Sequence, residues 1–77
     1  MGKNLREIVN MRPPDIAVAT QWGKTVYVKD SKGNILFILV ADELLSYTGQ
    51  TITIRLGTYA MTYNNAGSQI SIQTLFK

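Results

Sequence analysis

Four residues of this 77-residue chain have side chains suited to recognition: Tyr27, Lys29, Lys32 and Arg55. Tyr27 and Lys29 lie two apart in an alternating stretch, so a strand there puts both on one face. Lys32 follows in the next turn, and Arg55 points outward from a later alternating run. An aromatic ring among cations can stack on a base or bind an acidic partner. The bland counterpart is a solvated sheet face with one partly buried tyrosine. The remaining cations, Lys3, Arg6, Arg12, Lys24 and Lys77, are scattered, and no basic run forms. Only 17% of residues are charged, against about 25% in ordinary soluble domains. The net charge of +3 thus reflects few acids as much as many bases.

Catalytic chemistry has little to work with. There is no histidine and no cysteine, which removes most nucleophile–base pairs and the usual zinc and haem ligand sets. The five acids are Glu7, Asp15, Asp30, Asp42 and Glu43. Glu7 and Asp42 suit helix caps and Asp30 suits a turn, leaving no carboxylate pair marked for hydrolysis. Gly23-Lys24-Thr25 matches the end of a phosphate-binding loop, but the earlier glycine and the following helix that such a loop needs are missing. A non-enzymatic protein without metal or cofactor is expected.

The elements that would position these residues appear twice. Residues 4–38 read as a short helix and three strands broken by Gly23 and Gly33; residues 41–76 read the same way around Gly57 and Gly67. Asn4 can cap the first helix, with Leu5, Ile8 and Val9 on one face, and Asp42 the second, with Leu44, Leu45 and Thr48. The turns Asp30-Ser31-Lys32-Gly33-Asn34 and Asn64-Asn65-Ala66-Gly67-Ser68 correspond, and their glycines are expected to have positive φ. Gly23 and Gly57 fit either hairpin turns or bends in longer strands. The expectation is one β-rich α+β domain, residues 1–77. About six antiparallel strands and two short helices form an αβββ-αβββ arrangement around a pseudo-two-fold, closed as a small barrel or a curled sheet. The expected core is Ile8, Val18, Trp22, Val26, Val28, Leu36, Ile38, Leu44, Ile52, Ile54, Met61, Ile70 and Ile72.

The run VKDSKGNILFI, followed by ADELLSYTG and TITIRL, resembles the hairpin–helix–strand order of the AbrB and MazE family of swapped-hairpin DNA-binding proteins. Asn34 stands where that family has arginine, and Ile38-Leu39 where it has a proline step. The groups that would contact phosphates and bases are absent, so the resemblance carries no DNA-binding activity with it.

No apolar run approaches the ~18 residues of a membrane span, and no signal-peptide pattern opens the chain; a cytoplasmic protein without membrane contact is expected. Large apolar side chains are many for so small a core, so some are expected to meet a partner or another copy of the chain. The functional expectation is a small interaction module, accessory or regulatory, that binds a protein partner or itself. The alternative is a nucleic-acid-binding transcriptional regulator using Tyr27, Lys29, Lys32 and Arg55.

Overall fold

The computed structural model describes residues 13–75. Seven strands follow one another: β1 (Val18–Trp22), β2 (Thr25–Lys29), β3 (Ile35–Val40), β4 (Glu43–Tyr47), β5 (Thr51–Leu56), β6 (Tyr59–Asn64) and β7 (Gln69–Thr74). They form two antiparallel meanders, a three-stranded sheet β1-β2-β3 and a four-stranded sheet β4-β5-β6-β7. Neither sheet closes, and no helix occurs among the described residues. The α+β assignment and the barrel are therefore corrected: the architecture is all-β and open. The expected first helix lies outside the described residues.

The second expected helix is strand β4. Its apolar spacing fits a helix, but two turns are too short to be stable unaided. Pairing with β5, Glu43 to Arg55 and Leu44 to Ile54, satisfies the backbone and packs Leu44 against the core, while Leu45 and Tyr47 stay exposed. The register shifts between Leu44 and Ser46, leaving Leu45 as the extra residue of a bulge. Asp42 caps no helix. Its carboxylate accepts from the Gly57 N–H at 2.8 Å and lies 3.1 Å from the Lys24 ammonium, linking the β1–β2 and β5–β6 turns. This loss of helix also ends the resemblance to swapped-hairpin proteins, whose order requires one there.

Glycine sets both kinds of turn. Gly23 and Gly57 have φ of 63° and 64° and open two-residue hairpins between Trp22 and Thr25 and between Leu56 and Tyr59. Among the described residues no other residue type has positive φ, so the left-handed first position followed by an ordinary second one is the pattern of a type II′ turn. Gly33 and Gly67 both have φ of 87°. Around them the chain bonds itself identically. The N–H groups of Lys32 and Asn34 donate to Asp30 Oδ1, each at 2.9 Å; those of Ala66 and Ser68 donate to Asn64 Oδ1 at 2.9 and 3.0 Å.

The meanders β1–β3 and β5–β7 match position for position at a spacing of 34, as Gly23 to Gly57 and Gly33 to Gly67 show. Pairings match too, including register shifts between Val28 and Lys29 and between Thr62 and Tyr63. Yet the two meanders turn opposite faces to the core. In the first, Ala19, Val26 and Val28 are buried; their counterparts Thr53, Ala60 and Thr62 are not. In the second, Ile52 and Ile54 are fully buried, and their counterparts Val18 and Thr20 are exposed. A two-fold would bury equivalent faces, so the expected pseudo-two-fold is replaced by a head-to-tail stacking of like sheets.

The core is one cluster of Ile16, Ala19, Val26, Val28, Ala41, Ile52 and Ile54, with Leu36, Phe37, Leu39, Leu44, Leu56, Met61 and Tyr63 packed against it. Five expected core residues lie outside it: Val18 (37% exposed), Trp22 (81%), Ile38 (53%), Ile70 (55%) and Ile72 (54%); Ile8 lies outside the described residues. Hydrogen bonding explains why β1 turns its smaller side inward. Gln21 Nε2 donates to the carbonyls of Gly23 (2.9 Å) and Ala41 (3.2 Å) while its Oε1 accepts from the Leu44 N–H at 2.8 Å. That bridge to β4 requires Gln21, and with it Ala19, on the inner face.

Candidate interaction surface

Three cross-strand rows make up the outer face of the three-stranded sheet. Val18 pairs with Lys29 and Lys29 with Ile35; Thr20 with Tyr27 and Tyr27 with Ile38; Trp22 with Thr25 and Thr25 with Val40. Partners across an antiparallel ladder project to the same side, so these nine residues form one surface. It holds a single charge, Lys29. Its aliphatic members on β3 are each more than half exposed, and Trp22 is the most exposed large apolar residue of the described chain. Clusters of this kind are uncommon on monomers and mark sites of association.

The opposite outer face, on the four-stranded sheet, is polar. Glu43, Arg55, Ala60 and Gln73 form one row, and Ser46, Thr53, Thr62 and Ser71 the next. The hydroxyls of Thr53 and Thr62 hydrogen-bond at 2.9 Å. Arg55 is engaged on all sides: its Nε donates to Glu43 Oε1 at 3.2 Å, its Nη1 to the Gly57 carbonyl at 2.9 Å, and Asp42 Oδ2 lies 3.7 Å away.

The four residues singled out in the sequence are therefore spread over separate surfaces. Tyr27 and Lys29 share the apolar face, Lys32 sits in the exposed β2–β3 turn, and Arg55 belongs to the polar face behind the core. Val18, Trp22 and Ile38, which the sequence assigned to the core, instead build part of the accessible face. The signal for this was present but unread. β1 alternates Val18, Thr20, Trp22 with Ala19, Gln21, and size alone favoured burying the wrong set.

The carboxylates of Asp30 and Asp42 are both held toward the ionised form. The Asn34 N–H, together with that of Lys32, pulls Asp30 below its ordinary 3.8; the Gly57 N–H and the Lys24 ammonium do the same for Asp42. A folded-state pKa below the unfolded one adds stability that is complete above the unfolded value and lost as pH falls through the folded value. Denaturant midpoints should therefore hold steady from neutral pH to about pH 5 and decline below about pH 4. Asn64 performs the same turn bonding without a charge, so Asp30→Asn should fold normally at neutral pH and flatten part of the acid decline. An Asp30→Asn variant as acid-sensitive as the parent would exclude Asp30 as a source.

A shallow depression of about 530 Å³ lies where the chain enters, lined by Asp15, Gln50, Thr51, Asn64 and Asn65 among others. Asn65 Nδ2 donates to the carbonyls of Pro13 and Pro14 at 3.1 and 3.2 Å, so that amide is used within the chain. Among the described residues no group of acids could hold a metal ion, and no helix is long and apolar enough to cross a membrane. Comparison with family models, with curated proteins and with solved structures finds no match.

Proposed function

We propose that this protein is a non-enzymatic interaction module that binds protein through the outer face of β1-β2-β3. The observation that supports this most directly is the side-by-side exposure of Trp22, Ile38 and Val40 on a face with one charge, while the other outer face is polar. Burying such a surface is favourable by roughly 25 cal/mol per Å² of apolar area, and aromatic residues are the usual anchors of such contacts. The basic residues supply no comparable focus, because Arg55 is neutralised by Asp42 and Glu43 on the far side.

Two variants separate this reading from recognition of phosphates. Trp22→Ser combined with Ile38→Lys should abolish capture of protein partners by the purified chain, whereas Lys29→Gln, Lys32→Gln and Arg55→Gln together should leave it largely intact. Apolar contact should also persist as salt is raised. Capture that survives the apolar pair, fails in the triple variant and falls steeply with salt would replace this reading with nucleic-acid binding.

A further inference from the structure

We infer that the partner protein supplies one extended strand, which adds to the free edge of β3 and lies over β7; the inference rests on the interaction face proposed above. The two sheets stack three strands on four. The Leu44 N–H of β4 donates to Gln21 Oε1 of β1. Val26 and Val28 of β2 share one buried cluster with Ile52 and Ile54 of β5, and Phe37 of β3 lies against the β6–β7 turn at Gly67. β1, β2 and β3 thus cover β4, β5 and β6, and among the described residues no strand covers β7. Burial falls away in that direction on both layers. Val28 is fully buried and its β3 partner Phe37 only partly. In the other sheet Ile54 is fully buried, Met61 partly, and Ile72, next in the same row, is 54% exposed. Tyr59 is likewise exposed beside the partly buried Leu56. Ile70, the extra residue of the β6–β7 bulge, lies apart in the depression beside Asn64 and Asn65.

Backbone chemistry decides what can fill the open position. The Ala41 N–H donates to the Lys24 carbonyl at 2.8 Å, so alternation turns the N–H and C=O groups of Ile38 and Val40 away from β2, toward the free edge. An extended backbone presents donors and acceptors at the matching spacing, whereas a helix or a flat apolar surface would leave these groups desolvated and unpaired. Edge strands are commonly guarded by lysine or proline, and β3, Ile-Leu-Phe-Ile-Leu-Val, has neither. The added strand sets its inward side chains over Ile72 and Tyr59 and its outward ones beside Ile38 and Val40. Its chemistry is therefore an uncharged segment of about five residues, apolar on the inward side. β7 offers a rival edge, since the Leu75 N–H donates to the Thr58 carbonyl at 2.7 Å and Ile72 and Thr74 point outward in the same way. A strand there would lie beyond both layers, beside the polar Ser71 and Gln73 and with no sheet opposite. A second copy cannot supply the strand through its own β3. The two-fold that pairs β3 with β3 puts β6 of one copy in the place of β7 of the other.

The probe is a synthetic peptide of alternating valine and threonine with a lysine at each end for solubility. Added to the full chain, it should protect the amides of Ile38 and Val40 from hydrogen exchange and leave those of Ile72 and Thr74 unchanged. The same peptide methylated at every backbone nitrogen should not bind. Val40→Pro removes an edge-facing donor that the β2–β3 ladder does not use. It should weaken peptide binding at least about tenfold with an unchanged far-ultraviolet spectrum, and Thr74→Pro, the matching position on β7, should change binding little. The exchange measurement needs no substitution and decides the matter should Val40→Pro fail to fold. No binding at millimolar peptide, binding indifferent to Val40→Pro, protection at Ile72 and Thr74 in place of Ile38 and Val40, or equal binding of the methylated peptide would each overturn the inference. Ile38 and Val40 amides already protected without peptide would make the chain itself the donor, or a second copy if protection grows with protein concentration, and would overturn it too. Capture of a protein that depends on Trp22 and Ile38 yet ignores Val40→Pro would sink the added strand alone and leave the interaction face standing.

Discussion

Ile54→Ala should lower the unfolding free energy by about 3 kcal/mol, within the 2–5 kcal/mol range for isoleucine truncation in a packed core. Ile54 is fully buried. It sits between Leu44 on β4 and Met61 on β6 and faces the layer that carries Val26 and Val28. Both neighbours are tied into sheet ladders, so the site cannot collapse and a cavity remains. For a domain whose total stability is of order 5–15 kcal/mol, a loss of this size leaves a substantial unfolded fraction well before the normal midpoint. Ile38→Ala is the informative control. It lies in an equally apolar stretch of sequence but is half exposed, and it should cost no more than about 1 kcal/mol. Urea denaturation with an unchanged m-value checks both. Equal losses from the two variants would contradict the placement of the core.

Gly67→Ala should destabilise by about 2 kcal/mol and Gly33→Ala by about 1, although both glycines share the same φ of 87°. The common part is the cost of a side chain in left-handed backbone. The difference comes from what each new methyl would meet. A Cβ at Gly33 finds nothing within 4 Å, whereas one at Gly67 comes 3.3 Å from Phe37 Cγ and Cδ1. Phe37 is packed against the core, so it cannot withdraw freely. A double-mutant cycle isolates this contact: in a Phe37→Ala background the extra penalty at Gly67 should vanish, leaving the value seen at Gly33. A Gly67 penalty unchanged by removal of Phe37 would show that φ alone sets it. The contact also has architectural meaning, because it joins β3 of one sheet to the β6–β7 turn of the other.

Local chemistry in the chain was enough to determine the turns. Asp30 and Asn64 three residues before Gly33 and Gly67 specify both bulged hairpins, since a short acceptor side chain and a left-handed residue are strictly local requirements. The same holds for the alternation of β2 and β5, whose Val26, Val28, Ile52 and Ile54 are buried as the pattern requires. The absence of histidine and cysteine likewise needs no structure to narrow the chemistry. Tertiary contact decided everything that local pattern left balanced. Residues 42–48 had helical spacing, but a partner strand offered more hydrogen bonds than two helical turns could. β1 had two usable faces, and the Gln21 bridge to Leu44 and Ala41 chose the smaller one for burial, expelling Trp22. The like meanders could have met about a two-fold; stacking head to tail instead buried Ile52 and Ile54 and left Val18, Trp22, Tyr27 and Ile38 outside. Periodicity tells which residues share a face. Which face is covered depends on what packs against it, and that is a property of the assembled sheets alone.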